Sequence, residues 1–495
     1  MKRKTGALLP SLQGAGDSTP VPLHRQVYSR IRSSILAGTF APGARLPSTR
    51  TLAADLGMSR ITVESAFTQL SAEGYLVRRV GAGSYVAGAL PEVIRPSRRT
   101  PQRAASTPST QRTRGTGALS ARGLAISGAA LAPEPVGVRP FQPCMPALDA
   151  FPQATWARLL SRRARHGAEL LSYGEAAGYR PLRQAVATYL GSARGVRCDW
   201  QQVVILTGAQ QGIELASRLL LDPGDDVWHE EPGYLGARGA FLTAGANIVP
   251  VRVDADGLDV DAGIVAAPMA RLAYVTPSHQ FPLGATMSLA RRLALLAWAD
   301  RANAWILEDD YDSEFRFNGR PIAAVQGLDA SGRVIYVGTF NKVMFPSLRL
   351  AYLVAPPDLV DAVVAARALG DGHPPVQSQA ALTDFIGEGH FGAHVRQMRT
   401  LYHERRDVLV DALRASMGAA VRLGPVDAGM HVTLTLPRGV DDRAIAAAAD
   451  EAGLAVDPLS RHYLARSSAR GLLLGFTGSP AAALRRGVRT LATLL

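Results

Sequence analysis

The sequence predicts two folded modules of different class: a small, mainly helical N-terminal module closed by a β-hairpin, and a large α/β domain with a smaller α/β subdomain at its C-terminus. Three observations carry this reading. At 495 residues the chain is longer than one ordinary core supports. Its charge is uneven: residues 1–88 hold 11 Lys/Arg against 4 Asp/Glu, residues 89–134 hold 7 against 2, and the remainder holds 36 against 35. Strand and helix patterns alternate from Pro135 onward, as parallel βαβ units require, whereas the first quarter shows helical periodicity and a single hairpin. The net charge of +13 therefore belongs almost wholly to the first quarter, and points to a basic module facing a polyanion.

Residues 1–20 are small, polar and broken by Gly and Pro, which predicts a loose tail. From Pro22, the residues Val27, Ile31 and Ile35 recur at helical spacing until Gly38. Ser48 caps a second, short helix carrying Leu52, Ala53 and Leu56, and Gly57 makes the turn. Ser59 caps a third helix, with Val63, Phe67 and Leu70 on its apolar side, that ends at Gly74. Tyr75–Val80 and Ser84–Ala87 read as two strands around the tip Gly81-Ala82-Gly83. Helix, glycine turn, helix and hairpin make a winged helix-turn-helix. The run GARLPSTRTLAADLGMSRITVESAFTQLSAEGYLVRRVGAGSYVA resembles the GntR-type winged helix-turn-helix, over residues 21–88. That resemblance implies double-stranded DNA as partner, with the third helix in the major groove and Ser59, Arg60 and Thr62 near its N-terminus. It also implies Arg45 and Arg50 on phosphates, and Gly81 letting the wing backbone approach the minor groove. Glu64, where many relatives carry a basic residue, is expected to read a cytosine amino group or to turn outward.

Residues 89–134, rich in Pro, Ser, Thr and Arg, cannot bury enough apolar surface to order themselves and are expected to be a flexible basic tether. No apolar run approaches the length of a membrane span, and the N-terminus lacks the apolar core of a signal peptide, so a cytoplasmic location without membrane contact is expected. Cys144 and Cys198 give no disulfide framework and are expected to be small core residues; no metal site is expected.

In residues 135–495, Val203–Leu206 is a strand and TGAQQGIEL is a turn entering a helix. Gly208, Ala209 and Gln210 then lie at a helix N-terminus, where free N–H groups and the dipole favour a phosphate. Trp228 is expected to end the next strand, with Tyr234 in the loop after it. Trp305–Glu308 forms a strand ending in Asp309, Asp310 and Tyr311, and Val334–Val337 forms another that Gly338 and Thr339 end just before Lys342. About one crossover separates Asp309 from Lys342, so both project from strand ends into one cleft. A lysine for a Schiff base, an aspartate to hold a pyridine nitrogen protonated and a tyrosine for a phenolic oxygen are the groups pyridoxal 5′-phosphate (PLP) needs, and Arg349 adds a phosphate clamp.

EDDYDSEFR, YVGTFNKVMFPSLRLAYL and YVTPSHQFPLG together resemble the fold-type I aminotransferase module of MocR-type regulators, from about Pro135 to the C-terminus. The resemblance implies an α/β PLP-dependent transferase-like domain. Lys342 would carry the Schiff base, Asp309 pair with the pyridinium, Tyr311 contact O3′ and Tyr234 stack on the ring, while Arg349 and Gly208–Gln210 hold the phosphate. Phe281 stands where aminotransferases usually place an asparagine, leaving His279 and Gln280 as the nearby polar groups. The turn Tyr173–Arg180 would approach the cofactor at the interface of a head-to-tail homodimer. The function implied is a transcriptional regulator that senses PLP itself or an amine; the alternative is a working aminotransferase with a DNA-binding extension. One departure bears on turnover. The strand that usually carries a carboxylate-binding arginine reads Gly471-Leu-Leu-Leu-Gly-Phe476, with Leu473 at that position and Arg470 directed to the opposite sheet face. Residues from Pro374 are expected to form the pivot into the smaller subdomain, with the arginines of HVRQMRTLYHERRD as a solvated face.

Overall fold

The computed structural model describes residues 22–79, 82–88, 119–128, 137–165, 168–318, 322–418, 421–437, 439–465 and 469–495. The chain divides into two compact units, residues 1–113 and 114–495.

The first unit packs α1 (Leu23–Leu36), α2 (Thr49–Leu56) and α3 (Arg60–Ala72) against the antiparallel hairpin β1 (Leu76–Arg79) and β2 (Gly83–Val86). Helical spacing aims Val27, Ile31 and Ile35 of α1 at Val63, Phe67 and Leu70 of α3, and Leu76 with Val86 closes that core. Both expected caps are present: Ser48 accepts from the Thr51 N–H and Ser59 from the Thr62 N–H, each at 3.1 Å. Between α2 and α3, Gly57 adopts φ +62°, which a side chain would strain. Gly81, expected at the wing tip, lies outside the described residues.

The second unit is built on an eight-stranded sheet of β3 (Val203–Leu206), β4 (Asp226–Glu231), β5 (Asn247–Asp254), β6 (Gly257–Leu258), β7 (Leu272–Val275), β8 (Trp305–Asp310), β9 (Val334–Thr339) and β10 (Ala351–Val354). The strand order is β3-β10-β9-β8-β7-β4-β5-β6; the run from β9 through β5 is parallel, while β10 is antiparallel to both its neighbours. The apolar runs are buried on both faces, as central parallel strands require. Val204, Leu206, Leu307, Ile335 and Val337 meet helices Ala209–Leu220 and Leu235–Ala244. Residues of the opposite face, among them Val203, Ile205 and Tyr336, meet helices Arg180–Arg194 and Val376–Gly387. The 28-residue helix His390–Met417 leads into the smaller antiparallel sheet of β11 (Arg422–Leu423), β12 (His431–Thr435), β13 (Asp457–Pro458) and β14 (Gly471–Gly475).

Four expectations need correction. Trp228 sits inside β4, where its ring stacks on Trp298 at 3.7 Å; the acidic residues after it are buried enough to continue the strand to Glu231. An eight-residue helix, Ala121–Gly128, lies within the stretch expected to be wholly a tether and approaches helix Leu235–Ala244, with Leu124 and Ile126 still exposed. The arginines of His390–Met417 do not share one solvated face. Arg396 and Arg399 are exposed, but Arg405 is buried against Asp149 at 2.8 Å and Arg406 lies over the Phe317 ring at 5.1 Å, because the long stems cover apolar surface while the guanidinium finds a partner. Cys144 and Cys198 are half-buried at the core margin. Among the described residues no helix is long and apolar enough to cross a membrane.

Phe67 is fully buried at the centre of the first unit. Phe67→Ala should lower the urea stability of that unit by about 3–5 kcal/mol, read from its own circular-dichroism transition, with the transition of the α/β unit unmoved.

Candidate functional site

The carboxyl ends of β3, β7, β8 and β9 open on one edge of the large sheet, the edge where open α/β sheets take ligands. Thr207–Gln210 follow β3, with Gly208 as the N-cap of helix Ala209–Leu220. Lys342 follows β9 in a loop that Asn341 pins at both ends: its Oδ1 accepts from the Leu350 N–H at 2.9 Å and its Nδ2 donates to the Thr207 carbonyl at 3.4 Å. Those two bonds tie the lysine loop to the turn Thr207–Gln210. Arg349 adopts φ +52° and turns its guanidinium toward Gly208, where a Cβ would stand 3.3 Å from it. Glycine thus lets the guanidinium approach the helix N-terminus closely.

Asp309 lies in the last turn of β8. Its Oδ2 accepts from the Tyr274 hydroxyl at 2.8 Å, while its Oδ1 is buried with no partner. Burial pushes its carboxyl up to about 7, against the lowering effects of Tyr274 and the nearby Lys342 charge. Tyr311 lies two residues on, its hydroxyl 2.9 Å from Nδ1 of His279; the same Nδ1 lies 3.0 Å from Asp312 Oδ2. Phe281 stands between Tyr234 and Tyr311, with ring centroids 6.0 Å from each, so the aromatic residues converge on the same cleft. Gln210 reaches across to donate to the Gly236 carbonyl at 2.9 Å beside Tyr234. Gln280 turns away to Glu230, Pro232 and the Phe281 carbonyl. His279, Asp312 and His431 bring possible ligand atoms within 4.8 Å of one another, but the Nδ1 of His279 is engaged by Tyr311 and Asp312.

The fold thus brings Gly208, Ala209, Gln210, Tyr234, His279, Asp309, Tyr311, Lys342 and Arg349 to one sheet edge. Sequence reasoning missed Tyr274, Asn341 and Asp312. Tyr274 and Asn341 stand inside motifs already singled out, and a polar residue beside each candidate was the available signal.

In the first unit, Arg45, Arg50, Ser59 and Arg60 are exposed and Thr62 is half-buried. Ser59 and Thr62 hydroxyls lie 2.8 Å apart, so the α3 N-terminus is capped before any partner arrives. Arg45 bridges to Tyr85 of the hairpin. Glu64 keeps its side chain partly exposed and pairs with Arg78 of β1, which donates to it at 2.6 Å and holds its carboxyl below the usual range.

Fold and site together define a class: a DNA-binding winged helix-turn-helix joined to an α/β domain of the aminotransferase type. Comparison with known proteins agrees on both modules. Residues 23–86 match the family described as bacterial regulatory proteins, gntR family, and residues 142–472 match aminotransferase class I and II. The chain is 42% identical over 475 residues to the probable rhizopine catabolism regulatory protein MocR of Rhizobium meliloti, covering 95% of this chain and 93% of that protein. It is 35% identical to the HTH-type transcriptional regulator TauR of Rhodobacter capsulatus, covering 96% of each. The structure of LysN, the alpha-aminoadipate aminotransferase of Thermus thermophilus complexed with N-(5′-phosphopyridoxyl)-L-leucine, superposes with a TM-score of 0.67 at 30% identity, over 72% of this chain and 91% of that one. The chain belongs to the MocR type of the GntR family: it is a helix-turn-helix transcriptional regulator with an aminotransferase-like domain. The aminotransferase class I and II fold typically binds PLP.

Because Asp309 titrates higher folded than unfolded, its folded form holds the proton more tightly. Its stabilising contribution is complete below about pH 4 and is lost as the pH rises through about 7. In the cofactor-free protein, Asp309→Asn should flatten the fall in urea stability between about pH 5 and about pH 7, by up to about 1.4 kcal/mol per pH unit. A fall of equal steepness in both proteins would show the carboxyl ionised throughout.

Proposed function

We propose that this regulator holds PLP covalently at Lys342 and uses it to sense PLP itself or an amine. The observation that carries the reading is the buried Asp309 Oδ1, which lacks a partner and shares its sheet edge with Lys342. A protonated ring nitrogen is the partner such an atom needs. Gly208 at the helix N-terminus and the Arg349 guanidinium lie side by side, a pair that suits a phosphate, since both groups stabilise one. LysN, whose structure contains a phosphopyridoxyl amino acid, supports the same choice of cofactor.

In this reading Lys342 supplies the amine that captures the cofactor's aldehyde. Asp309 keeps the ring nitrogen protonated, and Tyr274 fixes the carboxyl by occupying its other oxygen. Tyr311 meets the phenolic oxygen and Tyr234 covers the ring. Gly208, Ala209 and Gln210 with Arg349 hold the phosphate. Bound PLP would supply an electrophilic carbon for which Lys342 and an incoming amine would compete. The N-terminal unit binds operator DNA, with Arg60 at base edges and Arg45 and Arg50 at phosphates; two chains in a head-to-tail dimer would address paired half-sites.

Leu473 argues against ordinary turnover. It is fully buried, and its cross-strand neighbours are Thr433 and Asp457; Arg470 instead lies 4.0 Å from Asp442. No arginine stands at that position to orient an α-carboxylate, and the charge-assisted bond lost is worth about 1.5–3 kcal/mol.

The purified protein should show the visible absorption of a lysine-bound cofactor, with borohydride fixing the label to the peptide containing Lys342 and Lys342→Ala abolishing it. A spectrum identical to that of free PLP would sink the proposal. Arg60→Ala should weaken operator binding by about 1–3 kcal/mol while leaving thermal stability unchanged; an equal loss on all sequences would reduce Arg60 to a phosphate contact. Steady-state assays with common amino acids and an oxo-acid acceptor should find transamination slow or absent, and rapid multiple turnover would overturn the regulatory role given to Leu473.

A further inference from the structure

We propose a second ligand site, separate from the cofactor cleft: the cavity between helices Arg180–Arg194 and His390–Met417 takes a small organic anion with an apolar body, either a carboxylate or a phosphate monoester. The cavity has a volume of about 640 Å³, enough for a compact organic molecule. Ala185, Ile386, Phe391 and Val395 give it apolar walls.

Its charged groups are unbalanced. Arg316, Arg396 and Arg399 line it, and among the described residues none of the three forms an ion pair. Several other arginines of the unit do find carboxylates: Arg163 has Asp384, Arg405 has Asp149 and Arg194, also in the cavity wall, has Asp310, while the fully buried Arg292 is satisfied by three carbonyls. Arg316 has its Nε buried without a hydrogen-bond partner. Arg399 spends two donors on the Glu314 carbonyl, at 3.1 and 2.9 Å, which leaves part of its fork unused. The single carboxyl in the cavity, Glu314, accepts from the Tyr189 hydroxyl at 2.9 Å, and burial pushes it up to about 7, so it does little to neutralise three guanidiniums. A carboxylate or phosphate from solution supplies the missing charge, and the apolar walls favour one that carries a hydrocarbon or ring.

The cavity is distinct from the cofactor cleft but joined to it by one ion pair. Arg194, in the cavity wall, donates through Nε to Asp310 Oδ2 at 2.8 Å. Asp310 follows Asp309 in β8, so their side chains point to opposite faces of the sheet.

The test uses full-length protein reduced with borohydride, in which the Lys342 amine and its cleft are already occupied. Equilibrium dialysis with phenyl phosphate and with benzoate should give saturable binding of one molecule per chain, tighter than inorganic phosphate for at least one of them. Arg396→Ala, at an exposed position outside the packed core, should weaken that binding at least about tenfold, the factor for one lost charge-assisted hydrogen bond, and Arg316→Ala should do the same. Absence of saturable binding overturns the proposal. So does binding that survives both substitutions and is lost in Arg60→Ala, which assigns the anion to the DNA-binding face. Failure of borohydride to label Lys342 would count against the PLP reading alone, since the dialysis can still be run on the unlabelled protein.

Discussion

Five acidic side chains within seven residues, Glu308, Asp309, Asp310, Asp312 and Glu314, are buried at the end of β8 and in the turn after it. Burial of that much potential charge is tolerable only if each carboxyl is given partners, and the surrounding fold is arranged to give them. Glu308 accepts the Val325 and Gln326 N–H groups at 2.9 Å each. Asp310 takes Arg194 and the Tyr336 hydroxyl, Asp312 takes His279, and Glu314 takes Tyr189. These partners come from helix Arg180–Arg194, the loop after β7, the strand β9 and the helix starting at Val325. The acidic run therefore fixes how four separate segments pack. Asp309, Asp310 and Asp312 each keep one buried oxygen without a partner, and that of Asp309 shares its sheet edge with Lys342, so the demand is left partly unmet beside the site.

The sequence showed the acidic run but not what would satisfy it. Strands β3, β8 and β9 were legible because short β-branched runs bounded by Gly, Thr and acidic residues have few other readings. Lys342 and Asp309 were legible as a pair because strand-end positions in parallel sheets face one edge. Arg194 lies 116 residues before Asp310 and Tyr189 lies 125 before Glu314, and no local period connects residues so far apart. Tyr274 was hidden differently: an apolar strand needs no further explanation for a tyrosine, and only the buried carboxyl beside it reveals the hydroxyl's use. The buried Arg405 and Arg406 misled because periodicity counts charge as exposure, whereas a long stem can lie in a core with its guanidinium on a carbonyl or carboxylate.

In the first unit the helices, caps and hairpin were largely legible, since each is set by residues within one or two turns. Glu64 was not. Its fate depends on Arg78, fourteen residues away on the hairpin. Their pairing sets one negative charge against one positive charge on the surface beside α3, and Arg60 and the 79% exposed Ile61 are prominent side chains of its first turn. On the proposed reading, readout by this helix would combine a guanidinium with an apolar side chain. That combination suits a guanine edge beside a thymine methyl better than it suits the cytosine contact expected of Glu64.

The separation of the two sheets would, on the proposed reading, let a chain keep cofactor capture apart from metabolic turnover. On the proposed reading, capture of PLP uses Lys342, Asp309, Gly208 and Arg349, all set by the large sheet and its loops. Orientation of a substrate carboxylate falls to β14 in the small sheet, where Leu473 stands between Thr433 and Asp457. Asp457 is itself engaged by His462 at 3.0 Å, so the carboxyl is held next to the apolar position. An amino-acid carboxylate arriving there would lose hydration and meet an acidic neighbour whose own guanidinium partner, Arg461 at 3.6 Å, is already engaged. An amine without a carboxylate meets no such penalty. On the same reading, because the two tasks fall to different sheets, substitution in β14 would change which amine is tolerated without disturbing the groups proposed to hold the cofactor.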